Sequence, residues 1–190
     1  MALQLYAPWQ GDILLQGKCI KSYAKQEIAN LIGFVDQECI LFEGTLKDNL
    51  TLWNDHIPMG RIHDAIKDAE IISVIEAKEK RLDTEVLEFG KNLSVGERQR
   101  LEFARALIQN PRLLILDEAT ANLDALTEAK IFEHLKKRRI SLLVIAHRLR
   151  TIQNADEIIV IENGKVASRG NHESLKMEGL YEQYVAGGRL

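Results

Sequence analysis

The sequence predicts an α/β domain built on a parallel sheet, with a helical segment inserted between its strands. Three short apolar runs, rich in branched side chains and bounded by polar residues, are typical of strands buried on both faces. They lie at residues 113–116, 141–146 and 158–161. Between the first two, residues 124–139 carry apolar side chains at helical spacing, with Asp124 as a candidate N-cap. Strand, helix and strand in this order predict parallel strands joined by a right-handed crossover.

The amino-terminal half predicts two further strands followed by helices. Residues 12–18 predict a strand that ends in a turn, and residues 31–35 predict another strand. Apolar residues then recur at helical spacing over residues 61–80 and again over residues 97–109. The helical pattern of this middle region differs from the strand pattern on either side of it.

The carboxyl-terminal part predicts antiparallel structure at the edge of the sheet. The pair Asn163-Gly164 stands between two extended runs and favours a hairpin, because both residues accept positive φ. Residues 171–185 predict one or two short amphipathic helices. The predicted domains are a partial α/β core with antiparallel edge pieces, residues 1–42 and 110–190, and a helical subdomain, residues 43–109.

Composition predicts a soluble cytosolic domain. The chain has 190 residues, with 25 basic against 28 acidic side chains and a net charge of −3, so no basic field recruits nucleic acid. Residues 1–11 are too short and polar to span a bilayer, and they lack the pattern of a signal peptide. The two cysteines, Cys19 and Cys39, suit a reducing compartment better than a disulfide scaffold.

Polar residues with catalytic potential follow the predicted strands. Asp117 and Glu118 come directly after the run at 113–116, where ligands bind in parallel sheets. One carboxylate of such a pair can hold a hard cation such as Mg²⁺ while the other orients or deprotonates a water. A helix N-cap followed by a first-turn acid explains the same pair structurally, and the pair alone favours that interpretation. His147 and Gln37 follow two other strands, and each alone reads as a surface residue.

The helix predicted at 97–109 begins with a sequence that suits two roles. Ser94, Val95 and Gly96 present backbone N–H groups and a hydroxyl, which together suit a phosphate. Ser94 and Glu97 also form the Ser-x-x-Glu pattern of a capping box, in which each residue satisfies the backbone of the other. The two roles are compatible, and the local pattern does not decide between them.

The order and spacing of these motifs identify a protein family more specifically than any single motif does. In chain order the motifs are Gln37, LSVGERQR at 93–100, LLILDEATANLD at 113–124 and VIAHRL at 144–149. Together they resemble the Q-loop, signature motif, Walker B strand with D-loop, and switch histidine of the ATP-binding cassette of ABC transporters. The resemblance covers essentially the whole chain. Residues 41–50 and 158–175 are similar to the exporter-type cassettes of that family.

The resemblance implies a fold and a set of catalytic roles. The fold would be P-loop NTPase-like, a parallel sheet with a helical subdomain, and the reaction would be ATP hydrolysis coupled to transmembrane transport. Glu118 would be the general base, and His147 would contact the γ-phosphate of ATP. Asp117 would hold Mg²⁺, and Gln37 would sense the metal and the membrane domain. Positioning and charge neutralisation of this kind supply most of the rate in phosphoryl transfer.

The resemblance also implies partners. Family members bind ATP between two cassettes arranged head to tail, so a second cassette is expected, as a homodimer or heterodimer. Ser94, Gly96 and Glu97 would lie at the nucleotide held by that cassette, and Asp124 would couple the two sites. ABC transmembrane domains would hold the cassette at the cytoplasmic face of a membrane. No contact with nucleic acid is expected, and membrane association would come only through the partner domains.

Two departures from the family pattern modify these expectations. No Gly-Lys-Ser or Gly-Lys-Thr of the Walker A phosphate cradle occurs in the sequence. Residues 1–6 are similar to the end of the helix that follows the cradle, so the first strands are expected to be missing, and the chain alone is expected to be inactive. Val95 and Glu97 stand where the commonest family members have Gly and Gln. Glu97 would place an anion near a phosphate and weaken its binding unless a cation compensates.

Two alternatives compete with an exporter cassette. The first is a non-catalytic interaction module that pairs its signature face with a complete cassette. Pairing that depends on ATP would support it. The second and more distant alternative is a chromosome-maintenance or DNA-repair ATPase, where a Ser-x-Gly-Glu signature also occurs. Those proteins carry long coiled-coil insertions, and this sequence has none.

Overall fold

A computed structural model describes residues 8–177 together with residues 179, 181, 182 and 185. The helix end predicted at residues 1–6 lies outside this part, and residues 171–185 are described only in part. The elements in chain order are β1 (Leu14–Leu15), β2 (Lys18–Cys19), α1 (Lys25–Leu31), β3 (Ile32–Val35), β4 (Gly44–Thr45), α2 (Leu46–Thr51), α3 (Met59–Asp68), α4 (Ile72–Glu76), β5 (Glu85–Val86), α5 (Val95–Ile108), β6 (Leu113–Asp117), α6 (Ala125–Lys137), β7 (Ser141–Ile145), α7 (Leu149–Ile152), β8 (Ile158–Glu162), β9 (Lys165–Gly170) and α8 (His172–Leu175). Short 3₁₀ turns follow β2 and flank β5.

The main sheet has three parallel strands, as the sequence predicts, and their order is β3-β6-β7. Ile32 of β3 pairs with Leu113 of β6, and Leu113 pairs in turn with Ser141 of β7. Helix α6 connects β6 to β7, and Asp124 is its N-cap, as predicted. The carboxyl ends of the three strands therefore lie at one edge of the sheet.

Burial of the apolar strands differs from the prediction in two places. Leu142, Leu143 and Ile145 of β7 are exposed. Among the described residues β7 pairs only with β6, so no further strand lies beside it to cover these side chains. The run at 158–161 is not part of the parallel sheet. It pairs with β9 as an antiparallel hairpin and buries only one face, which carries Ile158 and Val160.

Two hairpins share the same kind of turn. Asn163 and Gly164 connect β8 to β9 with φ of 50° and 74°, which confirms the predicted hairpin. The strand with a terminal turn that was predicted at residues 12–18 is present as the short β1, although Lys18 belongs to a second strand that was not predicted. Gln16 and Gly17 adopt φ of 53° and 77° at the predicted turn, so the chain reverses there and forms the short β1–β2 hairpin.

The helix predicted at residues 61–80 is broken in two. Helix α3 ends in a Schellman motif: the Ile71 N–H donates to the Ile66 carbonyl at 3.0 Å, and the Glu70 N–H donates to the Lys67 carbonyl at 3.0 Å. Glu70 takes the left-handed conformation that this motif requires, with φ of 54°. Because no glycine marks the position, the apolar spacing alone concealed the break.

Helix α5 is the central helix of the region between β3 and β6. It packs against α2, α3 and β3 and buries Leu101, Phe103 and Leu107 completely. Burial of each such side chain contributes roughly 1.5–3 kcal/mol, so the helix is firmly anchored. One buried cluster joins this region to Val35 and Leu116 of the sheet. The division into domains at residues 43 and 109 stays a prediction.

None of the helices in the described part of the chain combines the length and the apolar content that crossing a membrane requires.

Candidate active site

The site is organised by the carboxyl ends of β6 and β7. Asp117 is the last residue of β6 and pairs with Ile145 of β7. The Glu118 N–H donates to the Ile145 carbonyl at 2.9 Å, so the chain stays bound to the sheet one residue beyond the strand. Glu118 has φ of 47°, a left-handed conformation that side chains other than glycine rarely adopt. Other non-glycine residues, such as Glu70 and Asn163, also have positive φ, so this conformation alone does not mark a functional site.

Glu118 and His147 contact each other directly. Glu118 Oε1 lies 2.8 Å from His147 Nε2, with the carboxylate about one quarter exposed and the imidazole largely exposed. A carboxylate and an imidazole at this distance form a direct hydrogen bond with no water between them, and both group types act as general acids or bases in catalysis. The sequence predicts that both residues lie at the same edge of the sheet. Their direct contact could not be predicted from it.

Asp117 and Gln37 lie at the same edge of the sheet. Gln37 follows β3 by two residues, and its backbone N–H donates to Asp36 Oδ1 at 2.7 Å. Among the described residues, no group of three or more His, Cys, Asp or Glu side chains could hold a metal. Mg²⁺ commonly takes one or two carboxylates and completes its shell with waters and phosphate oxygens, so Asp117 alone fits such an ion.

The start of α5 forms the predicted capping box. The Ser94 N–H donates to Glu97 Oε2 at 2.6 Å, and the Glu97 N–H donates to Ser94 Oγ at 3.3 Å. Partial burial raises the pKa of Glu97, but the hydrogen bonds from Ser94, together with Lys78 and Arg100, outweigh it and lower the pKa overall. Glu97 is therefore an anion whose carboxylate caps its own helix, and the positive charges of Lys78 and Arg100 partly compensate it.

Asp124 also serves its own helix. Its Oδ1 accepts hydrogen bonds from the Leu126 N–H at 3.1 Å and from the Thr127 N–H at 3.0 Å. The hydrogen bonds from Thr127 are the main cause of the lowered pKa of Asp124. The carboxylate lies at the surface, where capping leaves it accessible to a partner.

The buried amide of Gln99 was not among the residues predicted from the sequence. Gln99 Oε1 accepts from Asn122 Nδ2 at 3.1 Å, and Gln99 Nε2 donates to the Asp36 carbonyl at 3.4 Å. A signal was available, because Gln99 lies at helical spacing with Phe103 and Ala106 on the buried face of α5. A polar residue at such a position requires buried partners.

A second missed group is a partly buried ion pair. Glu128 of α6 is buried, and its Oε2 lies 2.9 Å from Arg150 Nε while its Oε1 accepts from Thr151 Oγ1 at 2.8 Å. Arg150 also donates to the Leu123 carbonyl at 3.3 Å. The pair thus connects α7, which follows His147, to the segment before α6.

Comparison with known proteins is consistent with this geometry. A family model described as ABC transporter matches residues 1–121. A probable multidrug resistance ABC transporter ATP-binding/permease protein of Bacillus subtilis is 40% identical over 186 residues, which cover 96% of this chain and 28% of that protein. An ATP-dependent lipid A-core flippase of Pasteurella multocida is 43% identical over 188 residues, which cover 96% of this chain and 32% of that protein.

A solved structure matches the fold as well. The structure of a bacterial Atm1-family ABC exporter with ATP bound has a TM-score of 0.92 and 35% identity, covering 98% of this chain and 33% of that chain. This match confirms the predicted α/β, P-loop NTPase-like fold class and the resemblance to exporter cassettes. The chain spans a third or less of the length of each of these proteins.

Proposed function

This chain belongs to the ABC transporter family, and on that premise we propose that it works in an exporter as a nucleotide-binding cassette that couples ATP binding and hydrolysis to transport. The observation that carries this proposal is the contact of Glu118 with His147 at 2.8 Å, beside Asp117 and at the carboxyl ends of adjacent parallel strands. These are the groups that phosphoryl transfer to water requires: a base, a hydrogen-bond donor and a carboxylate for a hard cation.

Glu118 and His147 have complementary roles in this proposal. The Glu118 carboxylate orients the attacking water and accepts its proton, and the His147 imidazole donates a hydrogen bond to the γ-phosphate. In the structure the two side chains are hydrogen-bonded to each other. Nucleotide loading therefore exchanges the Glu118–His147 contact for contacts with water and phosphate.

Asp117 and Gln37 would hold the metal ion in this proposal. Mg²⁺ would supply neutralisation of the charge on the β- and γ-phosphates. The Asp117 carboxylate offers oxygen ligands of the kind that Mg²⁺ prefers, and it lies partly exposed at the end of β6. Gln37 is exposed at the end of the neighbouring strand β3, where its amide oxygen can reach a ligand at the same edge.

The start of α5 would serve the nucleotide of a second cassette. Ser94 and Val95 are exposed there, and the free N–H groups of a helix start favour an anion. A Cβ added at Gly96 would meet only the Asn122 carbonyl at 3.5 Å, an ordinary contact. Packing within this chain therefore does not require glycine at position 96, whereas close approach of a phosphate does. Glu97 and Asp124 border this surface and complete the proposed contact with the second cassette.

The partners and location follow from the same proposal. Transmembrane domains would hold the cassette at the cytoplasmic face of a membrane, and a second cassette would complete each nucleotide site. The Bacillus subtilis relative is described as an ATP-binding/permease protein, which supports this arrangement. We propose further that the 190-residue chain by itself neither binds ATP tightly nor hydrolyses it, because no Gly-Lys-Ser or Gly-Lys-Thr cradle occurs in it.

A chimera tests the catalytic assignment. Residues 1–190 replace the matching 186-residue region of the Bacillus subtilis ATP-binding/permease relative, and ATP turnover is measured in proteoliposomes. Glu118→Gln should reduce turnover by roughly 100-fold or more, as expected for loss of a general base. Glu133→Gln, at an exposed position on α6, is the matched control and should leave turnover unchanged. Wild-type turnover in the Glu118→Gln chimera would show that Glu118 is not the base.

The non-catalytic interaction module is the second candidate. It is favoured by one observation: the start of α5 is exposed, and its capping box is complete within this chain without any contribution from a phosphate cradle. The 190-residue chain is mixed with a complete exporter cassette, and association is followed by analytical ultracentrifugation with and without ATP. ATP-dependent pairing together with an inactive chimera supports this candidate, whereas an active chimera supports the catalytic one.

A further inference from the structure

Gln99 is a polar side chain in an apolar environment. It lies on the face of α5 that also carries Phe103 and Ala106, and only 2% of its surface is exposed. Burial of an unpaired amide is costly, so both ends of this side chain need partners. The structure supplies one at each end.

The two hydrogen bonds of Gln99 have a defined direction. The Asp36 carbonyl oxygen can only accept, so the amide nitrogen of Gln99 must face it, at 3.4 Å. The amide oxygen then faces Asn122, whose Nδ2 donates at 3.1 Å. A carboxylate or an apolar side chain at position 99 cannot make both bonds.

The partners of Gln99 belong to two separate segments of the proposed site. Asp36 directly precedes Gln37, and Asn122 lies between Glu118 and Asp124. The position of a Cβ on Gly96, one turn before Gln99, lies 3.5 Å from the Asn122 carbonyl. Three segments that follow β3, begin α5 and precede α6 therefore meet around one buried amide.

We propose that Gln99 is a positioning residue that holds the Gln37 segment and the 121–124 segment in register with the start of α5. This inference rests on the proposed function, because those segments matter for activity only if they face nucleotide. The 121–124 segment has a second anchor in the Arg150 hydrogen bond to the Leu123 carbonyl. The Ala121 N–H also donates to the Glu118 carbonyl at 3.0 Å, and the Leu123 N–H donates to the Thr120 carbonyl at 3.0 Å. Loss of Gln99 therefore removes the hydrogen bond that ties Asn122 to α5 and leaves the other anchors of this segment in place.

Hydrogen exchange measured on the 190-residue chain tests the positioning role without ATP. Gln99→Met removes both hydrogen bonds and keeps an unbranched side chain of similar size. It should accelerate amide exchange by about fivefold in peptides covering both 35–38 and 120–123, the effect of losing about one net hydrogen bond. Gln109→Met, at the exposed carboxyl end of α5, is the matched control and should change neither peptide.

Two further variants separate positioning from a general loss of structure. Gln99→Glu keeps an acceptor for Asn122 but opposes a carboxylate oxygen to the Asp36 carbonyl, so it should accelerate exchange at 35–38 only. Asn122→Ala, at an exposed position, should accelerate exchange at 120–123 only. A general structural defect would instead accelerate exchange in both peptides in each variant. Equal exchange in the wild type and in Asn122→Ala would overturn the proposal, even if the Gln99 variants fail to fold.

Pairing with a complete exporter cassette in the presence of ATP provides the functional test. Gln99→Met and Asn122→Ala should each raise the Kd for pairing by about fivefold, while Gln109→Met should leave it unchanged. Unchanged pairing in both site variants would contradict a functional role for the positioning. If the wild-type chain itself does not pair, the proposed function loses support, and the exchange data still decide whether Gln99 positions the two segments.

Discussion

Glu118 Oε1 and His147 Nε2 lie 2.8 Å apart, although the two residues follow different strands and neither belongs to a helix or strand. Pairing of β6 with β7 produces this proximity, and the hydrogen bond from the Glu118 N–H to the Ile145 carbonyl extends the pairing one residue beyond β6. The contact satisfies both side chains before any ligand binds. It therefore sets the starting state from which the proposed reaction proceeds.

Substitution of His147 should slow catalysis without loss of the fold. The imidazole is 61% exposed and contacts the Glu118 carboxylate, so little packing is lost when it is replaced. In the chimeric exporter we expect His147→Gln to reduce ATP turnover by roughly 100-fold, the effect of removing a donor from a phosphate or oxyanion. His56→Gln replaces an exposed histidine outside the site and should retain full turnover. Turnover within twofold of wild type in the His147→Gln chimera would remove His147 from the mechanism.

Substitution of Gly96 should affect pairing and stability in opposite directions. Gly96 lies in the first turn of α5, and a Cβ there meets no backbone or side chain closer than 3.5 Å. Gly96→Ala should therefore raise the free energy of unfolding by about 0.5 kcal/mol, since alanine favours a helix more than glycine does. The same methyl group should raise the Kd for ATP-dependent pairing with a complete cassette by at least tenfold, since it occupies the path of the phosphate. Gly60→Ala, in the first turn of α3 with open space around it, is the control that should gain stability without loss of pairing.

The Glu128–Arg150 ion pair should contribute to stability more than a surface pair does. Glu128 is buried while Arg150 is partly exposed, so removal of one partner leaves a charge that water reaches on one side only. We expect Glu128→Ala to lower the free energy of unfolding by about 2 kcal/mol, between the values for exposed and fully buried pairs. Urea denaturation of Glu128→Ala, Arg150→Ala and the double variant measures the coupling. Additive effects of the two single substitutions would show that the pair contributes nothing.

The sequence predicts the elements of this fold better than the relations between them. Residues at 113–116 and 124–139 follow simple strand and helix patterns, and the structure places a strand and a helix there. The break at Glu70 was missed because it depends on a Schellman motif without glycine. The exposure of Leu142 in β7 was missed because burial depends on neighbours that periodicity does not identify.

The candidate site shows the same contrast. Motif order places Asp117, Glu118 and His147 at strand ends, and the topology of a parallel sheet brings strand ends together. The contact between Gln99 and Asn122 joins α5 to the segment before α6, and it depends on how α5 packs against β3 of the sheet. The local sequence indicates that Gln99 lies on an apolar helix face and needs hydrogen-bond partners, but it does not identify Asn122 as one of them.

Glu102 should make stability depend on pH near neutrality. Burial raises the pKa of this α5 carboxyl to about 7; hydrogen bonding from Cys39 and the charge of Arg105 oppose the shift, and Asp36 adds to it. The same environment raises the pKa of the Cys39 thiol to about 12, mainly through burial. Because the folded state holds the Glu102 proton more tightly than the unfolded state, stability should be greatest below pH 4.5 as far as this residue is concerned. It should fall as the pH rises from 4.5 to about 7 and then level off.

Glu102→Gln isolates this contribution. The amide is uncharged at every pH and has the size of the protonated carboxyl, while Oε2 of Glu102 is buried without a hydrogen-bond partner in the wild type. We therefore expect the variant to be more stable than the wild type at pH 8 and nearly equal to it at pH 4.5, with the difference growing between these values. Urea denaturation across pH 4.5–8 measures it, with Glu43→Gln at an exposed position as the control. A constant difference between Glu102→Gln and the wild type over this range would show that Glu102 does not titrate there, because only a group that changes its proton occupancy on unfolding alters the slope of stability against pH.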